Sequence, residues 1–332
     1  MNLIQIKKQA HKPKYKQIVE SVEMAIINGE LKTGDKLPSL NAIKTRHKIS
    51  RDTVISAFNE LKARGIIDST VGKGYFVASE NIQVKTKVFI LFDELNAFKE
   101  DLYNSLLRHL GDNVQVDVFF HHFNKDFFAD IIKRNLENYS YYVIMPANLE
   151  GIEAYVKLLD QEKVFILDQM REEFSDYSAV YQDFENDVFS GLSTLTADIK
   201  KYKNFKLIYS SDKQPLGILR GFKKFCENKQ IDYQVLPDFN ETLVSEGTLF
   251  FVLEDKHLIL IIKTMKEKKL VMSKDCGIVS YNESIIKEVL EGGITTLSTD
   301  FKLMGKQLAE MIIQNKKAQI ANTNRIKIRN SL

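Results

Sequence analysis

The segment from residue 37 to residue 77 constrains the fold of this chain most strongly, because it combines two helix starts, a helix stop and a hairpin. Ser39 and Ser50 each precede apolar residues at helical spacing, and serine is a favoured N-cap, so each predicts the start of a short helix. The second helix carries an apolar stripe at three- and four-residue spacing, formed by Val54, Ala57, Phe58 and Leu61. Gly65 supplies the left-handed residue that ends this helix. The order helix, turn, helix and stop therefore predicts a small helical head.

The same segment predicts a nucleic-acid-binding surface. Burial of the apolar stripe leaves Ser50, Arg51 and Thr53 near the N-terminus of the second helix, which is how a recognition helix enters a major groove. Alternating β-branched residues then lead to Gly72-Lys73-Gly74, which predicts a hairpin loop. Glycines let the backbone approach phosphates closely, and Lys73 adds a positive charge at that point.

These motifs closely resemble the GntR family of bacterial winged-helix repressors over residues 12–78. The matching positions are Tyr15, Gln17, Ile18, Ile26, Gly29, Leu31, Gly34, Leu37, Pro38, Ser39, Ser50-Arg51, Thr53-Val54 and Gly72 to Val77. The resemblance implies that the DNA-binding residues are Ser39, Asn41, Ser50, Arg51, Thr53, Gly72 and Lys73. The chain departs from the family at Asn41 and Ile55, where arginine is common, so base recognition is expected to depend on Arg51, Thr53 and Asn41. The alternative for Arg51 is a solvated surface charge.

Charge is divided unevenly along the chain. The whole chain has a net charge of +3, but residues 1–80 hold 14 lysines and arginines against 8 aspartates and glutamates, a net +6. Residues 81–332 hold 33 lysines and arginines against 36 aspartates and glutamates, a net charge of −3. This asymmetry is expected when only one domain meets phosphate. The lysines before Tyr15, which are Lys7, Lys8, Lys12 and Lys14, either reach the DNA backbone or belong to a solvated tail.

Other features argue against a metal site, secretion and catalysis. Cys226 and Cys276 are far apart and lack metal-ligand spacing, so we expect buried side chains in a reducing compartment and no metal. The N-terminus lacks a signal-peptide pattern, and no apolar run reaches about 18 residues, so a cytoplasmic protein is expected. No nucleophile elbow or phosphate loop appears. The chain is also too short for the aminotransferase-like bodies fused to some GntR heads, so we expect no enzyme and no cofactor.

Beyond a polar linker at residues 79–87, apolar strands alternate with amphipathic helices. The predicted strands are Val88–Phe92, Val116–His121, Tyr142–Met145, Val164–Leu167, Lys206–Tyr209, Tyr233–Leu236, Leu249–Leu253 and Gly277–Tyr281. The predicted helices are Phe127–Leu136, Asp187–Ile199, Leu216–Cys226, Leu258–Lys266 and Met304–Ile313. This alternation predicts an α/β body of parallel sheets, and about 245 residues favour two lobes. The predicted domains are residues 1–78, 79–87 and 88–332.

The body resembles the effector-binding domain of the LacI/GalR repressors, which is similar to periplasmic sugar-binding proteins. The landmarks are Phe89 to Asp93 with Asn96 and Phe98, Val180-Tyr181 with Asp183, Arg220-Gly221-Phe222, Phe251 to Asp255, Asp275 to Asn282, Thr295 to Leu297, Met304-Gly305 and a basic strand around Ile326–Arg329. Together the two resemblances imply an N-terminal winged helix-turn-helix followed by a two-lobed periplasmic-binding-protein-like domain. This is the layout of arabinose-repressor-type regulators.

Ligands of parallel α/β lobes bind beyond the carboxyl ends of strands. The candidate effector-binding residues are therefore Asp93, Asn96, Phe98, Asp183, Asp255 and Asn282, joined by Gln214 and Arg220. Carboxylates and amides bridge hydroxyl groups, and an aromatic ring packs on the apolar face of a sugar, so a neutral sugar is favoured. A loop or helix cap is the alternative for Asp255 and Asn282. Arg220 either replaces the family's sugar-binding arginine, which lies where this chain has Ile218, or braces the hinge.

Two further clusters are expected to be structural. Five phenylalanines at strand and helix spacing are expected in the core, and these are Phe119, Phe120, Phe123, Phe127 and Phe128. His121 and His122 are adjacent on a predicted strand, so their side chains should point to opposite faces and cannot bind one metal ion.

The favoured interpretation is a sequence-specific repressor of a sugar-utilisation operon. It would bind double-stranded operator DNA as a homodimer and would be released by a monosaccharide. A phosphorylated sugar or another small metabolite is the alternative effector. A secreted sugar-binding protein would explain the body but not the head.

Overall fold

The computed structural model describes residues 3–6, 12–82 and 86–332. The chain divides into two compact units. The first unit comprises Met1–Phe92, Leu110–Ile144 and Gly151–Phe165, and the second comprises Asp93–His109, Met145–Glu150 and Ile166–Leu332. The first unit thus joins the N-terminal head to part of the body, and the boundaries predicted at residues 78 and 88 stay a prediction.

Helices and strands alternate through most of the described chain. The α-helices are α1 Lys14–Ile27, α2 Leu40–His47, α3 Arg51–Ala63, α4 Ala97–Leu110, α5 Lys125–Arg134, α6 Glu153–Val156, α7 Phe184–Thr194, α8 Thr196–Ile199, α9 Leu216–Lys229, α10 Asp255–Glu267, α11 Ile285–Val289 and α12 Phe301–Gln314. The strands are β1 Ile67–Thr70, β2 Gly74–Val77, β3 Thr86–Phe92, β4 Val114–Phe120, β5 Tyr141–Ile144, β6 Val164–Asp168, β7 Ser178–Tyr181, β8 Asn204–Ile208, β9 Tyr233–Leu236, β10 Thr248–Val252, β11 Cys276–Tyr281, β12 Thr295–Thr299, β13 Gln319–Ala321 and β14 Asn324–Lys327.

The head begins its second and third helices at the predicted caps. The Ser39 hydroxyl accepts a hydrogen bond from the Ala42 N–H at 3.2 Å, and the Ser50 hydroxyl accepts one from the Thr53 N–H at 3.1 Å. Each bond satisfies a backbone donor that has no partner within its own helix. Lys48 between the helices has φ +51°, a left-handed conformation that makes the turn.

The predicted apolar stripe of α3 is the centre of the head's core. Val54, Ala57, Phe58 and Leu61 are all fully buried. The Phe58 ring packs edge-on against Tyr75 of β2 with 4.8 Å between centroids. Full burial of a valine, leucine or phenylalanine side chain contributes about 1.5–3 kcal/mol, so this stripe holds the helices and the hairpin together.

The helix stop and the hairpin follow α3 as predicted, with one shift in the loop. Gly65 has φ +69°, and the Ile66 N–H donates to the Leu61 carbonyl, which closes the helix. β1 and β2 pair antiparallel with Thr70 opposite Gly74. The loop is therefore Val71-Gly72-Lys73, and Gly74 belongs to β2 instead of the predicted loop.

The body part of the first unit is a parallel sheet. Its strand order is β4-β3-β5-β6, and β3 pairs parallel with both β4 and β5. β6 is divided, because its first two residues belong to the first unit and its last three to the second. β3 begins at Thr86, so Thr86 and Lys87, which were predicted in the linker, lie in the first strand.

Two sequence predictions in this unit are wrong. Phe127 is 55% exposed, whereas Phe128 is fully buried, because α5 begins at Lys125 and turns Phe127 to solvent. His121 and His122 do not lie on a strand: β4 ends at Phe120, and His122 has φ +50° in the following turn. Strand geometry therefore does not set the orientation of the two histidines. His121 is nevertheless buried and His122 is exposed.

The second unit contains a six-stranded sheet and three strands in the order β6-β7-β13. The six-stranded order is β14-β12-β11-β10-β8-β9, parallel throughout except for β14, which pairs antiparallel with β12. The predicted parallel α/β body is confirmed. The eight predicted strands are all present, and their bounds differ by at most two residues. The predicted helix at residues 187–199 is two helices, α7 and α8, which meet at Leu195.

Candidate functional site

The N-terminal end of α3 presents a polar surface. Arg51 and Ser50 are exposed, and Thr53 is half-buried. The Ser50 and Thr53 hydroxyls lie 2.7 Å apart, so the cap uses both side chains. Unpaired N–H groups and the helix dipole make this end attractive to phosphate, and Arg51 adds a full charge. Arg51 is therefore an exposed cation at the first position of α3, while Ser50 and Thr53 serve its cap.

The preceding helix and the hairpin contribute further exposed groups. Ser39 and Asn41 are exposed at the start of α2, and Gly72 and Lys73 are exposed at the tip of the hairpin. Gly72 has φ +74°, which favours glycine. Lys36, which was not among the predicted residues, has its ammonium 5.9 Å from the centroid of the Phe76 ring at the base of the hairpin. Its signal was a lysine directly before the Leu37-Pro38-Ser39 motif.

The second unit contains a buried polar network that we call the acidic cluster, formed by Asp93, Lys99, Asp168, Gln182, Asp187 and Tyr281. The Lys99 ammonium pairs with the Asp93 carboxylate, and both residues are buried. Gln182 donates to Asp168 and accepts a hydrogen bond at 3.2 Å from the Tyr281 hydroxyl. Burial raises the pKa of Asp168, although Lys99 opposes this effect. The side-chain amide of Gln182, just after β7, thus joins Asp168 at the end of β6 to Tyr281 at the end of β11.

Asp187 of this cluster lies in the first turn of α7, and Asp183, the N-cap of that helix, is counted with the cluster. Asp183 caps the helix, accepting from the Asn186 N–H at 3.3 Å and from its side-chain amide at 2.7 Å. Burial, followed by repulsion from Asp183, raises the pKa of Asp187 to about 7. The buried Oδ2 atom of Asp187 has no hydrogen-bond partner in the described part of the chain. A carboxyl group in this state is suited to donate to, or accept from, a ligand hydroxyl.

A second set of polar groups, which we call the amide cluster, consists of Asn148, Gln169, Gln214 and Glu254. Asn148 donates to the Gln214 carbonyl at 2.8 Å and accepts from the Gln169 amide at 2.9 Å. The Gln214 side chain accepts from the Ser210 N–H at 2.7 Å and donates to Glu254 at 3.0 Å. Gln169 directly follows Asp168, so the two clusters are continuous along β6.

Asp255 and Asn282 lie around a buried lysine. The Lys287 ammonium is 2.9 Å from the Asp255 carboxylate and donates to the carbonyls of Tyr281 and Asn282 at 2.9 and 2.8 Å. Burial lowers the pKa of Lys287, although Asp255 opposes this. Asp255 is half-exposed and is the first residue of α10. Asn282 has φ +60°, and its buried Oδ1 lacks a partner among the described residues.

The remaining predicted residues occupy different settings. Asn96 is half-buried and accepts from the Lys99 N–H at 3.2 Å, which caps α4. The Phe98 ring stacks on Phe301 with 4.8 Å between centroids, so one of its faces is used by the protein. Arg220 is exposed on α9, and its charge acts on Tyr209, whose hydroxyl donates to the Gln214 carbonyl at 3.0 Å.

Asp93 and Asp183, which lie just beyond strand ends, belong to the acidic cluster, and Gln214, in the loop before α9, belongs to the amide cluster. The same rule would have found Asp168, Gln182 and Glu254. Asp168 directly follows Leu167, where the strand was predicted to end, and was overlooked, whereas Gln182 was missed because β7 was not among the predicted strands. The burial that raises the pKa of Asp187 is not visible in the sequence.

Two global properties bear on the kind of site. The described residues contain no group of three or more His, Cys, Asp or Glu side chains arranged to hold a metal ion. None of the helices in the described ranges has the length and hydrophobicity that a bilayer-spanning helix requires.

Comparison with protein families gives a match of residues 14–77 to the model described as bacterial regulatory proteins, gntR family. Over 109 residues the chain is 35% identical to the mannosyl-D-glycerate transport/metabolism system repressor MngR of Escherichia coli, and the match spans 33% of this chain but only 42% of MngR. It is 30% identical over 129 residues to the HTH-type transcriptional repressor YtrA of Bacillus subtilis, which covers 39% of this chain and 95% of YtrA.

Similarity also extends over the body. The arabinose metabolism transcriptional repressor of Geobacillus stearothermophilus is 22% identical over 354 residues, which cover 91% of each chain. Among solved structures, the trehalose repressor from Escherichia coli matches with a TM-score of 0.60 at 16% identity, covering 73% of this chain and 99% of that one. A dimeric Lac repressor matches with a TM-score of 0.61 at 15% identity, and the match covers 74% of this chain and 98% of that one. These structures share the fold of the body.

Proposed function

Because the chain belongs to the GntR family of bacterial regulatory proteins, we propose that it is a transcriptional repressor that binds operator DNA through its head and is released by a monosaccharide bound in its second unit. The observation that carries the DNA-binding half is the capped N-terminus of α3, where Arg51 is exposed, together with the exposed Lys73 of the hairpin loop. The proposed contacts are Ser39, Asn41, Ser50, Arg51, Thr53, Gly72 and Lys73.

The net charge of +6 on residues 1–80 supports the same assignment, because phosphate contacts dominate affinity for DNA. A repressor of this kind acts on the chromosome, so we place it in the cytoplasm. We assign it no catalytic step, since the comparisons return regulators and since the polar clusters of the second unit are suited to hydrogen bonding.

The proposed effector site combines the acidic and amide clusters with Asn96, Phe98, Arg220, Asp255 and Asn282. Carboxylates and amides supply donors and acceptors for several hydroxyl groups at once. The ammonium of Lys99 is committed to Asp93, and that of Lys287 to Asp255 and two carbonyls. A phosphate would meet carboxylates in this region, so an unmodified sugar is the preferred effector. The names of the arabinose and trehalose repressors support a carbohydrate.

A two-part experiment tests this function. Footprinting on duplexes taken from beside the protein's own gene, at low ionic strength, should show protection of a defined sequence. Absence of protection, with or without candidate sugars, would overturn the DNA-binding role. In a thermal-shift panel of free and phosphorylated sugars that includes L-arabinose, with trehalose as a disaccharide for comparison, a free monosaccharide should then raise the Tm. A shift with phosphorylated sugars alone would favour the alternative effector.

The proposed mechanism is a change in the spacing of two heads. Two-fold operators call for a second copy of the chain, and each recognition helix must reach its own half-site. A sugar that binds one arrangement of the body more tightly shifts the population toward that arrangement. A small change in the positions of the heads then prevents simultaneous docking on both half-sites.

A further inference from the structure

The C-terminal end of the recognition helix contacts the body directly within the first unit. The Ser140 hydroxyl, just before β5, donates to the carbonyl of Ala63, the last residue of α3, at 3.4 Å. The same hydroxyl accepts from the Lys87 N–H at 3.2 Å, and the Ser140 N–H donates to the Lys87 carbonyl at 2.8 Å. One serine therefore connects α3 with β3 and β5.

The side chain of Lys87 completes this contact. Its ammonium is 3.0 Å from the Asp117 carboxylate of β4 and 4.6 Å from the centroid of the Tyr139 ring. Tyr139 in turn donates to Asp117 at 2.8 Å. The aliphatic part of Lys87 lies against Gly65: a Cβ placed on Gly65 would be 3.5 Å from the Lys87 Cδ. The side chain is 17% exposed, so partners on three sides hold it in one position.

The start of the linker is fixed by a second cation. Arg64 follows α3, and its side chain is 6% exposed. The guanidinium pairs with Glu23 of α1 and lies 3.8 Å from Glu60 of α3. It also donates to the carbonyl of Ile82 at 3.2 Å. The chain leaving the head is thus tied back to α1 and α3.

We propose that these contacts, which we call the junction, dock the recognition helix on the body, so that the body positions the head through Lys87 and Ser140 and not through a free tether. The junction consists of Ala63, Arg64 and Gly65 on the head side and Lys87 and Ser140 on the body side, with Ile82 of the linker packed against the core of the head. A free tether would leave the end of α3 in solvent, whereas here its last carbonyl accepts from Ser140, just before β5, and its terminating glycine lies against Lys87 of β3. This inference deepens the proposed function, because it names the route by which the body controls DNA binding.

Lys87 is the positioning residue, and charge reversal tests it. Lys87→Glu places a carboxylate beside Asp117 and should release the end of α3. The double variant Lys87→Glu/Asp117→Lys restores an opposite-charge pair and should restore docking. Lys163→Glu, which alters a half-exposed lysine of the same unit that lies 3.8 Å from Asp160, is the matched control. Lys87→Met retains the aliphatic contact with Gly65 and gives an intermediate variant that keeps the fold.

The first readout is amide hydrogen exchange of the full chain. Exchange at Leu61 to Ile67 should rise several-fold in Lys87→Glu, rise less in Lys87→Met and return toward the parent value in the double variant. The backbone amides of Tyr75 to Val77 in strand β2 of the hairpin report whether the head itself is intact, and their exchange rates should not change. Equal exchange in the parent, in Lys87→Glu and in the control would overturn the inference, as would a double variant that behaves like Lys87→Glu.

The second readout is the distance between spin labels at Ser69→Cys in the hairpin and Asp112→Cys before β4, with labelled chains diluted by unlabelled protein. Both native cysteines are buried, so surface labels react selectively. The parent should give one narrow distance distribution and Lys87→Glu a broad one. A broad distribution in the parent would overturn the inference. Neither readout uses DNA or a sugar, so a failure of the proposed function and a failure of the junction are distinguishable.

Discussion

At the scale of single residues, Asp187 gives the clearest prediction. Its pKa is raised from the ordinary 3.8 to about 7 because burial and Asp183 both disfavour the carboxylate. Between about pH 4 and pH 7 the folded chain therefore keeps a proton that the unfolded chain has lost, so stability falls as pH rises through this window. Asp187→Asn removes this titration. We expect the Tm to fall less between pH 5 and pH 8 in this variant than in the parent.

The comparison of two variants isolates this residue from the other titrating groups. Asp112→Asn, an exposed position in the first unit, is the matched control and should show the pH dependence of the parent. Identical slopes of Tm against pH for the parent and Asp187→Asn would show that the carboxyl titrates normally in the folded protein.

Arg51 and Lys73 should differ in what they contribute to DNA binding. Lys73 lies on a hairpin tip and is expected to meet phosphate, so Lys73→Ala should weaken binding to all duplexes similarly and reduce the salt slope by about one. Arg51 lies at the groove-facing end of α3, so Arg51→Ala should change which operator is preferred. Titrations of a specific and a scrambled duplex at several salt concentrations measure both effects. Unchanged preference in Arg51→Ala would contradict the assignment of α3 as the recognition helix.

Residue roles were predictable where the cause is local. The caps Ser39 and Ser50 and the stop Gly65 act on backbone groups within a few residues, so spacing alone identified them. Asp187 and Gln182 could not be found in this way. Gln182 depends on Tyr281, which lies 99 residues beyond it and reaches it only through the order of the strands, and Asp187 depends on a burial that only the folded chain produces.

At the scale of elements, the packing of α7 on α9 yields a stability prediction. Gly221 lies at their closest approach, where an added Cβ would be 2.5 Å from the Glu185 carbonyl oxygen and 2.9 Å from the Val188 Cβ. Alanine normally stabilises a helix by about 1 kcal/mol relative to glycine. Gly221→Ala should nevertheless lower the free energy of unfolding by about 1–3 kcal/mol, because backbone has to move. Chemical denaturation of the full chain measures this.

Ser190→Ala, on the exposed side of α7, is the matched control and should change the free energy of unfolding by less than about 0.5 kcal/mol. A Gly221→Ala variant as stable as the parent would show that α7 and α9 separate without cost. The sequence analysis recognised Arg220-Gly221-Phe222 as a family landmark. The structure supplies the physical reason for its glycine.

Element types were predictable in the body, whereas their ends were less so. Buried parallel strands are continuous apolar runs, so β3, β10 and β11 were recognisable from composition. β13 has three residues and an exposed end residue on each side, which leaves no apolar run to detect. Phe127 was misassigned because a phenylalanine next to a helix start gives no information about the face it will occupy until the first residue of α5 is known.

At the scale of the whole molecule, the order of a helical head and a parallel α/β body was predictable from motifs and alternation. The division into compact units was not. The first unit combines the head with β3, β4 and β5, and this follows from contacts such as Ser140 with Ala63, which are 77 residues apart. Sequence periodicity carries no information about such a contact, because both partners are polar backbone or hydroxyl groups.

The proposed pairing of two heads leads to a prediction about operator geometry. If a homodimer spans two half-sites, both recognition helices must face the same side of the duplex, one helical turn of about 34 Å apart. Inserting about 5 base pairs between the half-sites turns one of them to the opposite side, whereas inserting about 10 base pairs restores the facing. In gel-shift titrations with the full chain, we therefore expect the short insertion to reduce affinity to that of a single half-site and the long insertion to recover part of it.

The junction would limit how far each head can follow its displaced half-site, so Lys87→Glu should tolerate the short insertion better than the parent. Equal affinity of the parent for all three spacings would mean that each head binds independently.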